Sequence, residues 1–105
     1  MICTLTTRKM KPGMAQEFAT TMDESVSEMP EALRNRWKHI YICQDVNDEN
    51  TLLSFGFFDG TLEELREVQA NTHREEMISK VDHLVDSILL DGSFEVIAEA
   101  QPLHN

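Results

Sequence analysis

Apolar residues recur at every second position in some stretches of the chain and at every third or fourth in others, and the alternation of these two periods outlines the fold. The β-branched run Ile2-Cys3-Thr4-Leu5-Thr6-Thr7 reads as a first strand, and Pro12-Gly13 punctuates the turn behind it. Met14, Phe18, Met22, Val26 and Met29 then recur at steps of four and three, which predicts a helix over residues 13–28 ended by Pro30. Residues 37–44 and 51–58 alternate through Ile40 and Ile42 and through Leu53, Phe55 and Phe57, with the turn-forming residues 45–50 between them. This predicts a hairpin. Placing Gln44 opposite Thr51 puts Ile40 and Ile42 on one face with Leu53, Phe55 and Phe57. The other face then carries Trp37, His39, Tyr41 and Cys43 beside Leu52, Ser54, Gly56 and Phe58.

Thr61 and Glu64 form a capping-box pattern for a second helix, with Leu62, Leu65 and Val68 on its buried side. A break near Asn71-Thr72 is expected, followed by a second helical piece whose face runs Met77, Val81, Leu84 and Ile88. Asp91-Gly92-Ser93 is expected to turn the chain into a last strand through Phe94, Val96 and Ala98. The order is β-α-β-β-α-β, a ferredoxin-like α+β fold with a four-stranded antiparallel sheet in the order 4-1-3-2. One domain over residues 1–105 is expected, with its core in 2–98 and a tail over 99–105. Helices can cover only one sheet face, yet both faces carry bulky apolar residues, so a homodimer through the sheet face is expected.

Charge narrows the partners. The 19 acidic and 9 basic side chains give a formal net charge of −10, which repels phosphate backbones and anionic lipid. Arg8-Lys9-Met10-Lys11 and the basic residues of 34–38 are too short to compensate and read as exposed strand-end or loop charges. Neither nucleic acid nor membrane is expected as a partner, since no run approaches the ~20 apolar residues of a spanning helix. The first residues also lack the apolar core of a secretory signal. Cys3 and Cys43 form no CxxC pair and would lie two strands apart, roughly 10 Å, so buried free thiols in a cytoplasmic protein are expected.

The Lys11-Pro12-Gly13 turn, the hairpin ending Ser54-Phe55-Gly56-Phe57-Phe58-Asp59, the capped helix at Thr61 and the His73-Arg74 opening of its second piece form a set. On these features the chain resembles, from Ile2 to about Ala98, the dimeric α/β-barrel superfamily, and within it the antibiotic-biosynthesis-monooxygenase-like group. The resemblance implies a homodimer with a cavity between sheet and helices in each subunit. Members include cofactor-independent monooxygenases of polycyclic phenols, heme-degrading oxygenases, quinol-modifying enzymes and small-molecule binders with no known reaction, and the fold does not choose among them. Heme-degrading members use an asparagine on the first strand, a tryptophan near the end of the third and a histidine on the following helix. Here those places hold Thr4, Thr6 and Thr7, then Phe57-Phe58, and no histidine over 62–69, which disfavours heme degradation. The tryptophan of the phenol-oxidising members is likewise replaced by phenylalanine.

The working expectation is a cofactor-independent monooxygenase acting on a small aromatic or quinone-like molecule. The alternative is a non-catalytic small-molecule-binding or stress-related barrel. His39 and His73 are the candidate bases, with Trp37, Tyr41, Ser54, Gly56 and Arg74 as candidate substrate contacts. Gly56 fits close approach by a ligand, and equally a position that makes room for Trp37. The His39-x-Tyr41 pair suits packing or an interface as well as catalysis, and His73-Arg74 equally suits a solvated helix start. His83 reads as surface and His104 as tail. No metal, nucleotide, flavin or nicotinamide motif is present, so no metal and no cofactor are expected.

Overall fold

The computed structural model describes residues 1–70 and 72–102, without the side chains of Thr72 and His73. In chain order it holds β1 (Ile2–Met10), α1 (Ala15–Ser27), a single turn α2 (Glu31–Arg34), β2 (Trp37–Asp45) and β3 (Asp48–Phe58). Next come α3 (Leu62–Gln69), α4 (Thr72–Val81), a 3-10 turn over Asp82–Leu84, and β4 (Val85–Glu95). The four strands form one antiparallel sheet in the order β2-β3-β1-β4, the predicted arrangement seen from its other edge. The ferredoxin-like α+β fold is as expected.

Local chemistry explains the joints. Gly13 takes a left-handed φ of 77°, open to glycine without steric cost, and its N–H donates to Asn50 Oδ1 at 3.2 Å, tying the turn to the hairpin. At α3 the capping box forms: Glu64 N donates to Thr61 Oγ1 and Thr61 N to Glu64 Oε1, both at 3.1 Å. Arg36 Nη2 donates to Glu64 Oε2 at 2.7 Å, and its guanidinium lies 4.9 Å from the Phe58 ring centroid. Both Arg36 and the Thr61 cap hold the Glu64 carboxyl below its usual range.

Four expectations need correction. The α-helix stops at Val81 and, after the 3-10 turn, Val85 to Glu95 is a strand, with Asp91-Gly92-Ser93 inside it rather than in a turn, and Val96 onward lies outside it. Leu84, Val85, Ile88, Leu89 and Leu90 satisfy both periods, and pairing with β1 resolves the ambiguity in favour of the strand. The hairpin turn is also tighter than the six residues expected, since Asp45 pairs with Asp48. Asp45 Oδ1 accepts from Asn47 N at 2.7 Å, an Asx turn. Cys43, finally, is exposed, while Cys3 is half-buried; both are free.

The largest correction concerns the hairpin faces. Trp37 pairs with Phe58 in the register argued from sequence, but Tyr41 pairs with Phe55 and Gln44 with Leu52, one residue away from it. A bulge between Lys38 and Tyr41 makes the change, and within it His39 has a φ of 54°. Trp37, Ile40 and Ile42 therefore all face the helices. Tyr41 and Cys43 face outward with Leu53, Phe55 and Phe57, not beside Ser54 and Gly56 as expected. One inserted residue lets three apolar side chains that break strict alternation share a face.

The inner face has a distinctive order. Along β1 it reads Ile2, Thr4, Thr6, Arg8, Met10, and along β3 Leu52, Ser54, Gly56, Phe58. Large apolar residues stand at both ends and small or polar ones between them. The core divides accordingly: Met10 and Leu52 pack with Ala15, Phe18, Val81 and Leu84 at one end, and Ile2 and Phe58 with Leu65 at the other. Thr4, Thr6, Ser54 and Gly56 are too short to fill the space below the helices, and a cavity remains.

Candidate functional site

That cavity has a volume of about 200 Å³. Thr4, Thr6, Arg8, Ser54 and Gly56 form its floor, and Asp91, Gly92 and Ser93 of β4 border one side. Its opposite wall is apolar: Met22 and Val26 come from α1, Met29 from just after it, Met77 and Ile78 from α4, and Trp37 and Ile40 from β2. Gly56 leaves space that a side chain would take, because a Cβ there would stand 3.2 Å from Ile40 Cγ1 and 3.3 Å from Trp37 Cε3. Trp37 is held from behind by Phe58, edge to face at 5.2 Å between centroids.

The polar side is built around Arg8. Its Nη1 donates to Ser54 Oγ at 3.2 Å, and its guanidinium carbon lies 5.1 Å from the centroid of the Phe18 ring. Burial lowers its pKa; nearby Asp91 raises it and Arg74 lowers it further. An arginine so placed remains a cation at neutral pH. Thr6 Oγ1 donates to Asp91 Oδ1 at 3.0 Å. Among the described residues no group of three or more His, Cys, Asp or Glu could hold a metal ion. No described helix is long and apolar enough to cross a membrane.

Of the residues singled out from sequence, Trp37, Ser54, Gly56 and Arg74 meet at this cavity. His39 and Tyr41 do not line it. Their rings stack at 6.1 Å on the outer sheet surface, where Tyr41 continues to Phe55 at 5.2 Å and Phe55 to Phe57 at 6.1 Å. The backbone of residue 73 lies in the first turn of α4 beside Arg74, but the His73 side chain lies outside the described residues, as does His104. Arg8 and Asp91 were missed: one read as a strand-end charge, the other as a turn residue. The signal for Arg8 was its parity with Ile2 and Met10 on a strand long enough to include all three.

No protein-family model matches the chain, and no curated protein matches it significantly. Solved structures do match in shape. A "putative antibiotic biosynthesis monooxygenase" from Deinococcus radiodurans aligns over 100% of both chains with a TM-score of 0.74 at 16% identity. The chain has the antibiotic-biosynthesis-monooxygenase-like fold. Proteins given the same name from Chloroflexus aurantiacus and Caulobacter crescentus agree, with TM-scores of 0.75 and 0.76 at 13% and 10% identity. They cover 95% and 92% of this chain, and are themselves covered over 96% and 90%. At such identities the shared antibiotic-biosynthesis-monooxygenase-like architecture is common ground, and the chemistry rests on the residues of the cavity.

Proposed function

We propose that this protein is a cytoplasmic, cofactor-independent monooxygenase that binds a small aromatic or quinone-like molecule between sheet and helices. The observation that carries the reading is the half-polar cavity. Its apolar wall of Trp37, Met22 and Val26 suits a ring, and its floor of Arg8, Ser54, Thr4 and Thr6 suits a ring oxygen. A cavity of roughly 150 Å³ accommodates benzene, so the space here favours a single substituted ring over a polycycle. In the reaction, dioxygen attacks a deprotonated ring carbon. A CH2 group becomes C=O, and the second oxygen leaves as water with the two hydrogens. The protein contributes deprotonation, desolvation and orientation. His73, next to Arg74 in sequence, is the candidate base; His39, on the outer surface, is the weaker candidate.

A homodimer is part of the proposal. The outer sheet surface carries Leu5, Leu53, Phe55 and Phe57, with Tyr41, Leu90 and Phe94 about half exposed at 48%, 51% and 50%. No carboxylate stands among these side chains. Two copies that each carry −10 repel one another over most of their surfaces, and this apolar patch is where they can meet.

The test is oxygen uptake with a panel of monocyclic phenols, quinols and quinones, without added metal or flavin. Uptake matched by an equal amount of oxygenated product, and reduced in His73→Ala, supports the reading. Ligand binding without uptake across the panel favours the second reading, a binder that performs no reaction. That reading has its own support: the described polar side chains of the cavity are guanidiniums, hydroxyls, the Gln69 amide and a carboxylate already bonded to Thr6.

A further inference from the structure

Charge is distributed against the grain of this molecule. The chain is acidic overall, yet the cavity between sheet and helices is lined by two arginines, Arg8 and Arg74, against a single carboxylate, Asp91. A half-buried guanidinium inside an acidic protein calls for an explanation, because desolvating a charge costs free energy unless a partner offsets it.

The internal partners of Arg8 are incomplete. Arginine has five N–H donors, and among the described residues Arg8 spends one on a neutral hydroxyl, Ser54. It forms no ion pair there; the described ion pairs use Lys9, Arg36, Lys80 and the N-terminus instead. The guanidinium lies over the Phe18 ring, its carbon 5.1 Å from the centroid, a contact that satisfies none of its N–H donors. Asp91 is occupied by Thr6, and Arg74 adds a second positive charge close enough to be felt at Arg8.

We infer that the cavity selects the anionic form of its ligand: a single-ring phenolate or aryl carboxylate, its charged oxygen on Arg8 with Arg74 at the mouth, its ring against Trp37 and Met22. The inference rests on the reading that the cavity binds a ligand, and it names the class. An anion supplies what Arg8 lacks, an acceptor with a full charge in a place shielded from water. The same contact would favour ionisation of a bound phenol, placing the ring one proton closer to reaction with dioxygen.

The probe is 4-nitrophenol, whose anion absorbs in the visible. Binding is followed separately by the fluorescence of Trp37, the sole tryptophan of the chain. At the pH where half of the free probe is ionised, saturating protein is expected to raise the anionic fraction. The anion should bind about tenfold or more tighter than the neutral phenol, the usual weight of a hydrogen bond to a charged group. Arg8→Gln, which keeps an amide donor for Ser54, should lose that preference while neutral probe still changes Trp37 emission. Arg8→Lys should keep part of it. Should Arg8→Gln fail to fold by circular dichroism, a diminished preference in Arg74→Gln stands in as the supporting result. Binding reported by Trp37 with an unchanged or lowered anionic fraction overturns the inference and leaves the cavity reading standing. A preference that survives in folded Arg8→Gln and Arg74→Gln also overturns it. Silence of both signals at high probe concentration sinks the inference and the cavity reading together.

Discussion

Replacing Phe58 with leucine tests whether the cavity wall stands where it is described. Phe58 is fully buried (0% exposed), packs with Ile2 and Leu65, and touches two aromatic or cationic partners at once. Leucine keeps most of the apolar burial and removes the ring. The edge-to-face contact with Trp37 at 5.2 Å accounts for roughly 0.5–1.5 kcal/mol. The Arg36 guanidinium at 4.9 Å, on a partly exposed side chain, adds about 0.5–1 kcal/mol. The change of shape in a packed interior costs up to about 1.5 kcal/mol. The expected loss is therefore about 2–3 kcal/mol, a large share of the roughly 5–15 kcal/mol that stabilises a domain. In urea the midpoint should fall by about 1–2 M at unchanged slope. A double-mutant cycle with Trp37→Leu should return a coupling near 1 kcal/mol, since the ring contact is lost only once. A loss below about 0.5 kcal/mol, or a coupling indistinguishable from zero, would refute the packing of Trp37 on Phe58 and with it the position of the indole in the wall.

Three further outcomes concern the hairpin end, the first turn and the outer sheet surface. Asp48 accepts hydrogen bonds from Lys9, Thr51 and Asn50, which lower its pKa from 3.8 to about 2. Its folded value lies below its unfolded one, so its contribution is complete above about pH 4 and disappears as pH falls through 2; urea midpoints measured over that window should fall less steeply in Asp48→Asn than in the parent. At Gly13, where nothing lies within 4 Å of an added Cβ, alanine should cost about 1–2 kcal/mol through the left-handed backbone alone, and asparagine less; equal midpoints for the alanine and parent proteins would contradict the φ of 77°. Phe55→Glu places a charge in the middle of the outer surface and should convert a dimer to a monomer by light scattering, with circular dichroism unchanged; a dimer that persists places the interface elsewhere.

Element order and sheet topology were legible in the sequence because each rests on strong local signals: Pro12-Gly13, Pro30, and Thr61 with Glu64. The end of the chain was not. Residues 84–90 offer apolar positions at both periods, and the choice belongs to the pairing of β4 with β1, a contact between residues some 80 positions apart such as Thr6 and Asp91. The site was half legible. Trp37, Ser54, Gly56 and Arg74 all line the cavity, whereas His39 and Tyr41 were assigned by a parity rule that a bulge suspends. Arg8 was obscured by ending the first strand three residues early, at Thr7. Extended to Met10, the same alternation shows a cation framed by two buried apolar residues, an arrangement that a solvent-facing strand end does not produce.

The bulge at His39 acts within β2 as a change of phase. N-terminal to it, odd-numbered residues such as Trp37 face the helices; C-terminal to it, even-numbered ones such as Ile40 and Ile42 do. Removing one residue here would not simply shorten a surface strand. It would restore uninterrupted alternation and force a choice between the indole and the two isoleucines, sending one or the other out of the wall. The length of this one segment is therefore under stricter constraint than the identity of its exposed side chains. A scan of deletions across 38–41 should be far less tolerated than a scan of polar substitutions at His39 itself.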